Sequence, residues 1–102
     1  MYYCYILLSL KSHIFYFGSA NDLKLRLKLH NEGKVKSTKA FKPWELVWYS
    51  AFGTEKEARD FEKYLKSGSG KSFAYKRLVS VVLKKDFKAG RKSSPKSSVA
   101  EG

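Results

Sequence analysis

The sequence predicts a small mixed α/β (α+β) domain in which three short strands combine with helices. Three observations predict it: two closely spaced apolar runs at residues 2–8 and 14–18, a third at residues 46–51, and a helix-capping pattern at Thr54. At 102 residues the chain has the length of one domain, and a domain this short buries only a thin core. We therefore expect one folded unit over residues 1–88.

The first two apolar runs predict an antiparallel β-hairpin. Both are rich in the aromatic and β-branched residues that strands favour. The four residues between Ser9 and Ile14 match the length of a hairpin loop. The third run is bounded by Pro43 and Gly53, which predicts a third strand between them.

The segment at residues 21–32 carries two competing patterns. Leucines alternate with basic residues through its middle, which is typical of a strand with one basic face. Asn21 as an N-cap, Asp22 in the first turn and Gly33 as a C-terminal stop are typical of a helix instead. We favour the helix, because signals at both ends of the segment agree on it.

The third strand leads into a second predicted helix. Thr54 and Glu57 form a capping box, which predicts a helix from Thr54 to about Ser67. Gly68 and Gly70 are expected to stop it, and a short third helix then extends to Leu78. The residues around Gly70 do not complete a nucleotide-binding loop, because the first glycine of that pattern is missing, so we predict no nucleotide cofactor.

The end of the chain differs from the rest in composition. Residues 89–102 contain four serines and no aromatic side chain, so they offer little apolar surface to bury. We predict a flexible basic tail there.

The charge balance predicts a polyanionic partner. The chain has 21 Lys and Arg against 9 Asp and Glu, a formal net charge of +12. Such an excess is typical of nucleic-acid binding and less often of binding to an anionic membrane surface. One cysteine excludes an internal disulfide, and no apolar run approaches the roughly 20 residues that span a bilayer. We therefore expect a cytoplasmic protein without a membrane partner.

Three charged residues are candidates for a functional site. On a helical projection Arg26 and His30 lie one turn apart between leucines, where a cationic group is costly unless an anion meets it. Glu62 borders the apolar face of the second helix and is a candidate ligand for a hard cation such as Mg²⁺. On periodicity alone, a salt bridge from Glu62 to a basic neighbour is the favoured interpretation.

Basic residues in the connecting loops are candidates for phosphate contacts. The loop after the first helix alternates lysines with less polar residues, which fits either a solvated loop or a strip that binds nucleic acid. A further lysine follows the two glycines after the second helix. The candidate nucleic-acid-binding residues are Lys34, Lys36, Lys39, Lys42 and Lys71.

Taken together, the spacing of these residues resembles that of the GIY-YIG nuclease family. The resemblance covers residues 2–78 and is strongest for small standalone bacterial members. It implies a three-stranded antiparallel sheet flanked by helices, and hydrolysis of phosphodiester bonds with one Mg²⁺ (or Mn²⁺) ion. The matching segments are Tyr3-Cys4-Tyr5, Tyr16-Phe17-Gly18, Asn21-Asp22-Leu23, Arg26, His30-Asn31 and Glu62.

The resemblance also implies roles for five catalytic residues. Tyr5 would act as general base or position the water, with His30 as its proton acceptor or hydrogen-bond partner. Tyr16 would orient the phosphate or the water, and Arg26 would clamp the non-bridging oxygens. Glu62 would bind the metal.

The sequence departs from the family pattern at a few positions. Tyr3 replaces the name-giving glycine of the first motif, Cys4 and Phe17 replace aliphatic residues, and a further Asn of some members has no counterpart near Ala74.

The function that the resemblance implies is a metal-dependent endonuclease that acts on DNA. Because a chain this short has little room for reading bases, we expect it to select structure over sequence and to serve DNA repair or recombination. The alternatives are a catalytically weak module that binds DNA or RNA with the same fold, and an accessory protein of RNA or ribosomes.

Overall fold

A computed structural model describes residues 1–79 and the backbone of residues 99–100. Three strands and three helices form the body of the fold, and a fourth strand of two residues joins the edge of the sheet. In chain order the elements are β1 (Tyr2–Ser9), β2 (Phe15–Ala20), α1 (Leu23–Asn31), a 3₁₀ turn (Lys39–Phe41), β3 (Trp44–Phe52), α2 (Glu55–Lys66), α3 (Gly68–Phe73), a π-helical turn (Ala74–Leu78) and β4 (Val99–Ala100).

The sheet has the strand order β3-β1-β2-β4, with β1 in the centre. Strand β1 pairs antiparallel with both β2 and β3, so the predicted three-stranded antiparallel sheet flanked by helices is confirmed. Strand β4 adds a short parallel pairing to β2. Of the predicted tail at residues 89–102, only these two residues are described, and the boundary at residue 88 stays a prediction.

Both faces of β1 are buried, because helices cover the sheet on both sides. Alternate residues of a strand point to opposite faces. Residues Cys4, Ile6 and Leu8 pack with Leu65 of α2 in one cluster, which fills the layer between the sheet and α2. Tyr5 and Leu7 belong to a second cluster on the opposite face, beneath α1. The buried residues of that second cluster are Tyr5, Leu7, Tyr16 and Trp44.

Helix α1 forms despite its alternating leucines, and its capping residue differs from the prediction. Asp22, not Asn21, is the N-cap, and its side chain accepts a hydrogen bond from the Leu25 amide at 3.0 Å. At the other end Gly33 has a φ of 76°, and the Gly33 amide bonds to the His30 carbonyl at 3.2 Å. This αL residue closes the helix as predicted. Leu25, one of the alternating leucines, is 49% exposed. The alternation of leucines and basic residues therefore does not mark one buried face, as it would in a strand.

The capping box of α2 is confirmed, whereas the predicted glycine stop is wrong. Thr54 Oγ1 accepts from the Glu57 amide at 3.2 Å and begins the helix. Helix α2 ends at Lys66, and its C-cap Ser67, which has an extended backbone, also caps α3 through its hydroxyl. Gly68 and Gly70 therefore begin the next helix. A Cβ at Gly70 would overlap the Tyr64 carbonyl, so the glycine allows α3 to lie directly against α2.

No helix among the described residues is long and apolar enough to cross a membrane.

Candidate active site

A chain of hydrogen bonds joins Tyr5, His30 and Thr38 on the face of the sheet that α1 covers. Tyr5 lies in the central strand, and its hydroxyl is 2.9 Å from His30 Nε2 in the last turn of α1. His30 Nδ1 lies 2.7 Å from the Thr38 hydroxyl in the following loop. All three side chains are buried. A strand, a helix end and a loop thus fix one imidazole at both of its nitrogens.

Tyr5 and His30 are neutral at pH 7, and burial favours the neutral form of both. Desolvation raises the pKa of the Tyr5 phenol, and the neighbouring Tyr16 raises it further. Desolvation and then the charge of Arg26 lower the pKa of His30 to about 4. A neutral imidazole next to a protonated phenol is an arrangement in which the phenol can give its proton to the ring.

Tyr16 and Gly18 set the position of the Tyr5 ring. Tyr16 stacks at a tilt beside Tyr5, with ring centroids 6.3 Å apart, and its ring meets that of His30 edge-on at 5.0 Å. A Cβ at Gly18 would lie 2.6 Å from the Tyr5 hydroxyl oxygen and 2.9 Å from the Tyr16 ring. The phenol of Tyr5 therefore rests on β2 only because residue 18 has no side chain.

Arg26 connects this buried cluster to solvent. Hydrogen bonding to the Tyr5 hydroxyl, opposed in part by desolvation, raises the pKa of the Arg26 guanidinium, and Tyr16 contributes in the same direction. Arg26 also lines a cleft of about 380 Å³, together with Ser19 of β2 and Arg59 of α2. Its Nε atom is buried and has no hydrogen-bond partner among the described residues. The guanidinium thus keeps one buried donor that is not paired within that part of the chain.

Glu62 lies in the layer on the opposite face of the sheet. Its Oε1 atom accepts a hydrogen bond from the Ser19 hydroxyl at 2.7 Å, and its Oε2 atom from Lys66 Nζ at 2.8 Å. Ser19 follows Gly18 in β2, and it lines the same cleft as Arg26. The charge of Glu62 also raises the pKa of Tyr5, although less than burial does. The carboxylate is therefore behind the strand but within electrostatic reach of the phenol.

The structure thus brings four of the five predicted catalytic residues into contact. The fifth, Glu62, lies on the opposite face of the sheet. Tyr5, Tyr16, Arg26 and His30 form one cluster. Within residues 1–79, no hydrogen bond joins Glu62 to these four. The salt bridge that the sequence left open as an alternative for Glu62 is present, with both side chains about one-fifth exposed, at 20% for Lys66 and 21% for Glu62.

Comparisons with known proteins match most of the chain to one family. A family model described as the GIY-YIG catalytic domain matches residues 1–76, which is most of the chain. The chain belongs to the GIY-YIG family. Membership supports the interpretation of the Tyr5 and Tyr16 strands as the two motifs for which the family is named.

Several relatives of this GIY-YIG protein come from bacteria. UPF0213 protein YazA of Bacillus subtilis is 44% identical over 57 residues, which cover 55% of this chain and 58% of that protein. A UPF0213 protein of Bacillus licheniformis is 39% identical over 72 residues, which cover 70% and 73%. The solution NMR structure of UPF0213 protein BH0048 from Bacillus halodurans is 35% identical, with a TM-score of 0.45 and coverage of 79% and 85%. The chain thus spans less than two thirds of the first of these relatives.

The metal ion that the GIY-YIG family implies has one candidate ligand here. In the described part of the chain, no group of three or more His, Cys, Asp and Glu residues could hold a metal. Mg²⁺ accepts one carboxylate when water and substrate phosphate fill its other positions. A carboxylate has about four lone-pair sites, and Glu62 uses one on each oxygen. Glu62 therefore fits a single hard cation, provided that the Lys66 ammonium turns away.

The predicted lysines of this GIY-YIG chain fall into two separate groups. Four of them are exposed on the loop between α1 and β3, and that loop also carries Thr38. Lys71 lies on α3, which packs against α2 in the other layer, so it does not extend the same surface. Two of the loop lysines and Lys11 line a further cleft of about 480 Å³. The four loop lysines are Lys34, Lys36, Lys39 and Lys42.

The sequence analysis gave no role to three residues that the structure places at the site. Thr38 contacts His30, Ser19 donates to Glu62, and Arg59 lines the cleft with Arg26. Ser19 had a signal, since it directly follows the glycine of the second motif. The hydrophobic periodicity gave no signal for Thr38 or Arg59. Thr38 is a loop residue and Arg59 an exposed helix residue, and such positions resemble ordinary surface in the sequence.

Proposed function

We propose that this protein is a metal-dependent endonuclease that hydrolyses phosphodiester bonds in DNA. Membership of the GIY-YIG family supports a nuclease-like activity, and the excess of basic residues supports a nucleic-acid substrate. The observation that carries the proposal is the buried hydrogen bond between the Tyr5 hydroxyl and His30 Nε2 beside Arg26. These groups combine a proton acceptor with a cation at the border of an open cleft.

The first step is the activation of water by Tyr5 and His30 together. A phenol with a raised pKa is a poor base unless its own proton leaves as it accepts another. In this step the Tyr5 oxygen takes a proton from the attacking water while the Tyr5 proton moves to His30 Nε2. The water oxygen bonds to phosphorus, and the bond from phosphorus to the leaving oxygen breaks. The leaving oxygen takes its proton from solvent.

Arg26 brings the phosphate to the phenol. Its guanidinium borders both the cleft and Tyr5, so a phosphate that it binds from the cleft comes next to the phenol. A guanidinium matches two phosphate oxygens and stabilises the charge that develops on them. The negative charge of the phosphate also offsets the Arg26 charge that lowers the pKa of His30, so the imidazole becomes a better proton acceptor once substrate is bound.

Glu62 would hold the divalent cation. When bound, the cation would neutralise charge on the phosphate and the leaving oxygen. The Ser19 hydroxyl would keep the Glu62 carboxylate oriented toward the end of β2, where the cleft begins.

We expect the substrate to be selected by shape. A chain of 102 residues with its basic groups on loops has little surface for reading base edges. The DNA structures to test first are therefore branches, single strands and damaged ends, which arise in repair and recombination.

The test is a cleavage assay on purified protein with Mg²⁺ or Mn²⁺ against labelled DNA and RNA of defined structure. We expect Tyr5→Phe to lower the cleavage rate at least about a hundredfold, because it removes the group that passes the proton. Tyr64→Phe, at an exposed tyrosine of α2, is the matched control and should cleave like the wild type. Glu62→Gln should abolish the metal-dependent cleavage, because it removes the carboxylate proposed to hold the cation. A folded Tyr5→Phe protein with full activity would contradict the proposal.

One observation favours a second candidate function, a nucleic-acid-binding module without useful catalysis. The Glu62 carboxylate is already neutralised by Lys66 at 2.8 Å, so the fold is complete without a metal. Salt-sensitive binding to DNA, with no cleavage at any divalent cation tested, would support this candidate and exclude the endonuclease.

A further inference from the structure

The Thr38 hydroxyl is a buried group with two partners. Its oxygen lies 2.7 Å from His30 Nδ1, and it donates to the Val35 carbonyl at 3.4 Å. A carbonyl only accepts, so the contact with Val35 uses the single hydrogen of the Thr38 hydroxyl. In this arrangement Thr38 is an acceptor toward His30, and the hydrogen between them belongs to Nδ1.

The contact at the other nitrogen of His30 fits the same tautomer. A neutral imidazole carries one ring hydrogen, so a hydrogen on Nδ1 leaves a free lone pair on Nε2. The Tyr5 hydroxyl oxygen lies 2.9 Å from Nε2 and can donate its hydrogen to that lone pair. The contacts at both nitrogens are thus compatible with one neutral tautomer, with hydrogen on Nδ1.

We propose that Thr38 is a positioning residue that holds His30 as its Nδ1–H tautomer, with the Nε2 lone pair aimed at Tyr5. The part of this inference that concerns catalysis rests on the proposed function, whereas the tautomer is a property of the resting protein. In the proton transfer the O–H bond of Tyr5 breaks and an N–H bond forms at Nε2. The bond between Nδ1–H and Thr38 persists and stabilises the resulting imidazolium.

The backbone around Thr38 fixes the hydroxyl in place. Its carbonyl accepts a hydrogen bond from the Trp44 indole at 3.0 Å, and its amide donates to the Val35 carbonyl at 3.1 Å. Trp44 in turn begins β3 and is buried. The loop that carries the four exposed lysines is therefore attached to the core at the same residue that contacts the catalytic histidine.

The charged and titratable groups around His30 come from three elements. Tyr5 faces it from β1, Tyr16 from β2, and Arg26 from its own helix. None of these groups is anionic at rest, so no charged acceptor competes with Thr38 for the Nδ1 hydrogen within the described residues.

The first experiment measures the tautomer directly, by two-bond ¹H–¹⁵N correlation spectra of the ¹⁵N-histidine-labelled full chain at pH 7. We expect the wild type to show a protonated Nδ1 and an unprotonated Nε2 at His30. Thr38→Ser, which keeps the hydroxyl, should show the same pattern. Thr38→Val, which has nearly the same shape but no acceptor, should shift His30 toward the Nε2–H form or a mixture. An Nε2–H form in the wild type would overturn the proposal even if Thr38→Val does not fold.

The second experiment separates positioning from binding by measuring cleavage at saturating DNA and the Kd for DNA. We expect Thr38→Val to lower the cleavage rate at least about tenfold with an unchanged Kd, because only the proton acceptor is disturbed. Thr38→Ser should retain most of the rate. Ser37→Ala, at an exposed position next to it, is the matched control and should match the wild type.

The two experiments fail in different ways. If the wild type shows the Nδ1–H form but cleaves nothing, the tautomer stands and the proposed function is wrong. If Thr38→Val keeps the Nδ1–H form and the full rate, the proposed function survives and Thr38 has no positioning role.

Discussion

Acidification below pH 7 should destabilise the folded protein through His30. The pKa of His30 is lowered from 6.5 to about 4 in the folded state, because the ring is desolvated and lies near Arg26. Between these two values the unfolded chain binds a proton that the folded chain does not. Stability therefore rises with pH through this window and is lost as the pH falls through it.

The size of the effect follows from the two pKa values. Between pH 7 and pH 5 the difference in proton binding amounts to about 2 kcal/mol of unfolding free energy, most of the roughly 3 kcal/mol that the whole shift represents. A domain of this size has a total stability of about 5–15 kcal/mol, so the loss is a substantial fraction.

The assay is urea unfolding at pH 7, 6 and 5, followed by the fluorescence of Trp44 and Trp48. We expect the wild type to lose about 2 kcal/mol more between pH 7 and pH 5 than His30→Gln does, since glutamine does not titrate. His13→Gln replaces the other histidine of the chain and should keep the wild-type dependence. The same pH dependence in His30→Gln as in the wild type would refute the reasoning.

Three further outcomes are expected. Gly18→Ala should lower the unfolding free energy in urea by about 1–3 kcal/mol, because its Cβ would lie 2.6 Å from the Tyr5 hydroxyl; a change near zero would contradict this. Lys66→Met should tighten Mn²⁺ binding, measured calorimetrically, by up to about fivefold, since the competing ammonium on Glu62 is gone; weaker binding would argue against the site. Replacing the four loop lysines by glutamine should flatten the slope of log Kd for DNA against log salt by about 3 to 4, whereas Lys56→Gln on α2 should not. The four are Lys34, Lys36, Lys39 and Lys42.

The strands and helices were predictable where a local pattern and a local signal coincided. The hairpin follows from two apolar runs at a short separation, and α2 from the capping box at Thr54. The cap of α1 was misplaced by one residue because Asn21 and Asp22 are both good N-caps. The predicted glycine stop after α2 was wrong, because glycine is also used where two helices approach closely. Gly70 lies at such a contact, between α3 and α2.

The candidate site was predictable as a set of residues but not as a geometry. Helical spacing placed Arg26 and His30 on one side of α1, where they contact Tyr5. Spacing also placed Glu62 at the edge of the apolar face of α2, and this holds. It could not indicate which face of the sheet α2 covers, since that depends on how the chain crosses over after β3. Thr38 contacts His30 through a loop, and loops have no periodicity from which contacts can be inferred.

The position of Glu62 behind β2 has an electrostatic consequence for the proposed chemistry. A carboxylate in direct contact with Tyr5 would oppose any negative charge on the phenol, and even at its present distance Glu62 raises the pKa of Tyr5. The positive charge of Lys66 cancels much of the effect of Glu62 on the pKa of Tyr5. A divalent cation in place of Lys66 would reverse the sign of that effect and favour the phenolate. The same exchange that loads the metal would thus make Tyr5 easier to deprotonate. Cation binding and activation of the water are then two effects of one carboxylate, separated from the phenol by the width of a strand.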